Sequence, residues 1–190
     1  MKILVIVAMA MIGGKARAET GRASEHVVPI CVSEGVRTPA IYLARAIVSE
    51  MYAKIGVTIE WLSQERLCRS LSGAISIKLS YDTPQTQFAG ALAYALPYEG
   101  TRVIVFYDRV KRTVVPPVVP YLLAHVLAHE IAHIIEGTDR HSDSGVMKAH
   151  WDLSDQNRMY RQPLPFTELD IWMIHQGLEA RESCNRHEAQ

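Results

Sequence analysis

The residues with the plainest chemical potential are His129-Glu130-Ile131-Ala132-His133, followed by Gly137, His141 and Met147. An α-helix advances about 100° per residue, so His129 and His133 share a face, about 6 Å apart along the axis. Two imidazoles at that spacing bind one Zn²⁺ from the same side. Glu130 flanks such an ion and is placed to accept a proton from a zinc-bound water. Gly137 suits a left-handed helix end. His141 then arrives from an extended segment and completes three nitrogen ligands with one open position, as catalytic rather than structural zinc requires. His129, His133 and His141 are therefore the expected metal ligands, and Glu130 the expected catalytic base. The plainer alternative is a helix whose histidines merely sit near the core.

Two neighbours of the pentad lie too far along the helix to join it. His125 is about 12 Å from His133 and Glu136 about 10.5 Å from His129, so neither shares an ion with those partners. Both read as structural or supporting groups.

The helix that carries the pentad is expected from about Tyr121 to Glu136, after the breaks at Pro116, Pro117 and Pro120. Leu122, Leu123, Val126, Leu127, Ile131 and Ile134 supply an apolar face that anchors it. Upstream, His26–Val32 reads as a strand. Thr38-Pro39 then opens a helix running to Lys54 or Ile55, with Thr38 as N-cap and Pro39 at its first position. Its apolar stripe is Ile41, Ala44, Ile47, Val48, Met51 and Ile55. Gly56 ends it, Val57–Trp61 is a second strand, and the strand–helix–strand order predicts parallel pairing. Further strands are expected at Ala74–Ser80, within Ala89–Pro97 and at Thr101–Tyr107. Past Met147, Trp151–Pro165 reads as irregular. Thr167 then caps a last helix, Glu168 to about Ala180, with a frayed end to Gln190.

The pentad and its tail resemble the metzincin group of zinc peptidases, whose pattern is HExxHxxGxx(H/D) followed by a methionine turn. His141-Ser142-Asp143-Ser144-Gly145-Val146-Met147 looks like the matrixin version of that turn, and the spacing is similar to secreted bacterial zincin-like proteins. Here three residues rather than two separate His133 from Gly137, and three separate Gly137 from His141. Asp139 stands at the usual offset for the third ligand and is the alternative to His141, which is favoured because imidazole suits zinc. The resemblance implies an α+β fold: a twisted mixed sheet of about five strands with an antiparallel edge strand, two long helices and a C-terminal helix. It also implies that Met147 lies beneath the metal as a packing floor. Ala89–Pro97 resembles the matrixin edge strand that pairs with extended substrate; a plain core strand of small residues is the equal alternative. Several metzincins carry a Tyr two residues after the Met. Ala149 stands there instead, leaving His150 and Tyr160 as candidates to stabilise the oxyanion.

At 190 residues with 48% hydrophobic content and no visible repeat, one domain with a substantial core is expected. Residues 1–18 read as a signal peptide: Lys2, an apolar run from Ile3 to Ile12, and Ala16-Arg17-Ala18 as a cleavage site. That run is too short for a stable membrane anchor. Residues 19–190 would then form one zincin-like domain, secreted or periplasmic. Removing 1–18 takes Lys2, Lys15 and Arg17 and leaves 17 basic against 20 acidic residues, a formal charge of −3 that offers no nucleic-acid surface. Of the three cysteines, two can pair in an oxidising compartment, and Cys31 with Cys68 is the preferred choice. Cys31 as a thiolate cap on the zinc is rejected, since it sits in a strand-like run.

The expected protein is a secreted zinc endopeptidase acting on peptides or proteins. The alternative is an exported zinc-binding protein that keeps the fold without turnover.

Overall fold

The structure is a computed structural model and describes residues 26–32, 38–62, 68, 71, 73–84, 86, 90–96 and 101–188. The signal-peptide expectation for residues 1–18 lies outside them. Strand β1 (His26–Val32) lies inside the sheet, between β2 and β3. It pairs in parallel with β2 (Val57–Leu62) through His26 opposite Val57 to Cys31 opposite Leu62. On its other side it pairs in parallel with β3 (Ile75–Ser80). Strand β5 (Arg102–Phe106) follows β3 in parallel, and β4 (Ala93–Leu96) closes the edge antiparallel to β5. The sheet order is β2-β1-β3-β5-β4, a mixed five-stranded sheet.

Helix α1 (Pro39–Ala53) makes the crossover between β1 and β2 and buries Ile41, Ala44, Ile47, Val48, Met51 and Tyr52, the stripe its 3.6-residue period dictates. Pro39 sits at the helix start as expected. Thr38 does not cap, however: its side chain bonds nothing at the N-terminus, and Oγ1 is buried without a partner.

Helix α3 (Val119–Glu136) is the core of the molecule. It packs on α1, β4, β5 and the later helices, and it is buried nearly all round. Leu122, Leu123, Ile131, Ile134 and Ile135 are almost wholly enclosed. Each contributes about 1.5–3 kcal/mol, which together offsets the cost of burying the polar groups that share the helix. The Tyr52 hydroxyl donates to Ala128 O at 2.9 Å, locking α1 to α3 one residue before His129.

Four expectations are corrected. Tyr107 does not extend β5; it opens a short helix α2 (Tyr107–Thr113), where Asp108 accepts from Thr83 and Arg112. The segment 151–165 is not irregular. It contains α4 (Leu153–Arg161), started by a capping box in which Asp152 and Asp155 each accept from the other's backbone N–H. The helix carrying the pentad begins at Val119, directly after a 3₁₀ turn at Pro116–Val118, and not at Tyr121. The last helix, α5 (Glu168–Glu188), runs well past Ala180 rather than fraying there. His26 meets Glu182 at 2.8 Å and Arg181 donates to Gly73 O, which holds this extension on the sheet.

Candidate metal centre

Helix α3 ends as its sequence dictates: Gly137 is left-handed (φ 66°) and its N–H returns to His133 O. The chain leaves in a new direction, and Thr138 O meets His133 Nδ1 at 2.9 Å. His129 Nδ1 meets Val146 O at 2.9 Å, a carbonyl of the methionine turn. Carbonyls only accept, so both Nδ1 atoms carry the proton and both Nε2 atoms present lone pairs. Those two Nε2 atoms face each other at 2.9 Å.

The ligand atoms of His129, His133 and His141 lie within 4.8 Å of one another, forming the one such group of three among the described residues. Asp139 is not in the group, although its charge acts on His133 and His141. The first two histidines are buried and His141 is exposed, so the group opens to solvent on one side. Burial, with His133 close by, drives His129 down to about 3; burial and His141 drive His133 down to about 4. Neutral imidazoles with lone pairs converging on one point fit a metal cation, and three nitrogens with an open position suit zinc.

The methionine turn packs under this group. Ser142 N–H donates to Met147 O at 2.8 Å, Val146 N–H donates to Pro165 O, and Met147 is fully buried. Gly145 (φ 77°) passes so close to Pro165 that an added Cβ would lie 2.3 Å from its carbonyl oxygen. The Trp151 indole stands edge-on to His129 at 5.5 Å between ring centres, with Nε1 donating to Gly145 O. The loop bearing His141 is tied to α5. Asp170, fully buried, takes Arg140 and the Ser142 hydroxyl, and exchanges bonds with Thr167 at the helix start. Burial opposes the charge on Asp170, but those donors hold its carboxyl below the usual range.

Glu130 is buried beside the group, and burial pushes it up to about 8, with one opposing donor, the Ala95 N–H. His125 is structural: Nδ1–H donates to Tyr121 O and Nε2 accepts from Leu164 N–H. Burial drives it down to about 4. Glu136 makes no hydrogen bond through either carboxylate oxygen, and burial raises it to about 7. Of the candidates for the oxyanion, His150 lies near enough to act on His141. Tyr160 packs edge-to-face on Tyr121, with ring centres 5.1 Å apart. Cys31 is bonded to Cys68, so its thiol is not a metal cap.

Sequence reasoning missed Asp170, Arg140, Trp151 and the Val146 carbonyl. Only Asp170 left a signal, as the last residue of Thr167-x-x-Asp170, a capping pattern.

No family model and no curated protein matches the chain. Among solved structures it is similar to an archaemetzincin from Methanopyrus kandleri, with a TM-score of 0.54 and 16% identity over 84% of this chain and 99% of that one. The fold is metzincin-like. At that identity the likeness speaks to architecture, not to chemistry.

Proposed function

We propose that the chain is a secreted zinc-dependent endopeptidase, with His129, His133 and His141 as ligands and Glu130 as general base. The observation that carries this reading is the pair of Nε2 lone pairs facing each other at 2.9 Å while both Nδ1–H groups are tied to carbonyls. Two buried acceptors at that distance repel unless a cation lies with them, and protons are disfavoured there. Zinc bound there supplies Lewis acidity, polarising a carbonyl and acidifying water towards ~7. Glu130 takes the proton from the attacking water and delivers it to the leaving amine. Met147 closes the floor, and the edge of β4 that has no partner strand among the described residues offers main-chain groups to an extended peptide in the matrixin manner. Export is supported by the Cys31–Cys68 disulfide, which belongs in an oxidising compartment, and by the signal-like residues 1–18.

A second reading, a zinc-binding protein without turnover, is favoured by Ala149 at the place of the oxyanion tyrosine. Digestion of denatured casein and a mixed peptide library, with and without chelator, separates the two. Chelator-sensitive cleavage at defined bonds is expected. It should fall at least about 10³-fold in Glu130→Ala at unchanged zinc content. Wild-type rates in a zinc-loaded Glu130→Ala would sink the mechanism, and no cleavage by the wild type would favour the second reading.

A further inference from the structure

Strand β4 has a partner strand on one side only among the described residues, and the groups that fasten its start lie in and beside α2. Arg109, in that helix, reaches back to the segment that leads into the strand. Its Nη1 donates to Ala91 O at 2.8 Å and its Nη2 to Pro84 O at 2.9 Å, so one guanidinium joins the two ends of residues 84–91. The guanidinium carbon stands 4.5 Å from the centre of the Phe106 ring. Phe106 in turn holds the strand itself. Its N–H donates to Leu92 O at 2.8 Å, and its ring lies 5.8 Å from that of Tyr94, centre to centre. Asp108 takes the Thr83 hydroxyl at 2.8 Å, just before Pro84.

We propose that Arg109 is a positioning residue for the edge of the sheet: by bridging Pro84 O and Ala91 O it fixes where β4 begins and the line along which its main-chain groups stand. That a peptide uses this edge rests on the peptidase reading; the clip itself does not. A four-residue strand paired on one side has few ladder bonds, and such strands open locally from their ends. A peptide that must first order the strand it pairs with loses that ordering cost from its affinity. A planar guanidinium meets two acceptors at once in a fixed fork, and its charge strengthens both bonds. An ammonium is a single point on a flexible stem and cannot hold both carbonyls in the same way. Arg109 acts through the strand rather than on the scissile bond, so its contribution belongs to peptide binding, equal in ground and transition states.

Amide hydrogen exchange on ¹⁵N-labelled, metal-free protein tests the clip without any activity. The readouts are Phe106, bonded to Leu92 O, and Tyr94, opposite Ile104 in the next bonded pair of the ladder. Val28 and Ile30 on β1 are the controls. In Arg109→Met, which keeps an apolar stem over Phe106, exchange at Phe106 and Tyr94 should be about tenfold faster than in the wild type, with the controls unchanged. Arg109→Lys keeps the charge without the fork and should remain at least about threefold faster. Wild-type exchange at both amides in Arg109→Met, or in Arg109→Lys, overturns the proposal. So does equal acceleration at Val28 and Ile30, because the residue would then hold the whole fold rather than the edge. With casein as substrate and zinc content at the wild-type level, Arg109→Met should raise KM about tenfold and leave kcat within about twofold. A fall in kcat at unchanged KM also overturns it. If the wild type cleaves nothing, the peptidase reading fails and the exchange comparison still decides the clip.

Discussion

His125 and His129 sit one turn apart on the same buried helix, and what separates them is the company of their ring nitrogens. His125 spends both, on Tyr121 O and on Leu164 N–H, whereas His129 spends only Nδ1, on Val146 O. Position along the chain could not make that distinction. It has a direct consequence for metal content. His125→Ala should keep one zinc per chain yet lose about 2–4 kcal/mol of stability, through the unpaired Leu164 N–H and the cavity left behind. His129→Ala and His141→Ala should lose zinc affinity by orders of magnitude, and Asp139→Ala should retain it. Elemental analysis of the four purified variants at neutral pH checks this set. Zinc lost from Asp139→Ala and kept by His141→Ala would return the third ligand to the ordinary metzincin offset.

The elements meet where their side chains vanish. Gly177, inside α5, lies against the last turn of α3, and an added Cβ would stand 2.0 Å from Ile135 O. That contact sets how closely α5 approaches the helix of the two histidines, and therefore where Asp170 can hold the loop of His141. In an ordinary exposed helix, Gly→Ala stabilises by about 1 kcal/mol. Here the sign should reverse, with Gly177→Ala destabilising by about 1–3 kcal/mol as the backbones are forced apart. Urea denaturation reads the effect, and a stabilised variant would show that the two helices do not touch there.

Over the whole molecule, burial acts oppositely on bases and acids. Glu136, raised to about 7, faces Tyr52 on α1, Arg140 beyond the helix end and Asp170 on α5, and its oxygens are bonded to none of them. Between its ordinary value near 4.5 and about 7 the folded protein binds more protons than the unfolded chain, so stability falls as pH rises through that window. In chelator-treated protein, Glu136→Gln should be no more stable than the wild type at pH ~4 and more stable at pH ~8, by about 1 kcal/mol after allowance for solvent screening. Melting curves across that range test it. A gap that is constant with pH would mean that Glu136 does not titrate in the window.

What the chain alone determined is what one or two helical turns encode. The pentad's shared face, the left-handed cap at Gly137 and the buried stripe of α1 follow from periods and φ preferences within a few residues. The short helices escaped because their signals are small. The box that starts α4 uses Asp155 where Glu or Gln is usual, and α2 follows β5 with no residue between. Everything that turns the histidines into a site comes from distant chain: Val146, 17 residues on, orients His129, and Asp170, 28 residues beyond Ser142, anchors the third histidine's loop. By composition, Pro116–Glu136 could even cross a membrane, yet 83% of its most apolar window is buried inside the protein. Periodicity is a property of neighbours in sequence. Which lone pair stays free, which carboxylate stays neutral and which apolar helix becomes a core are decided by neighbours in space.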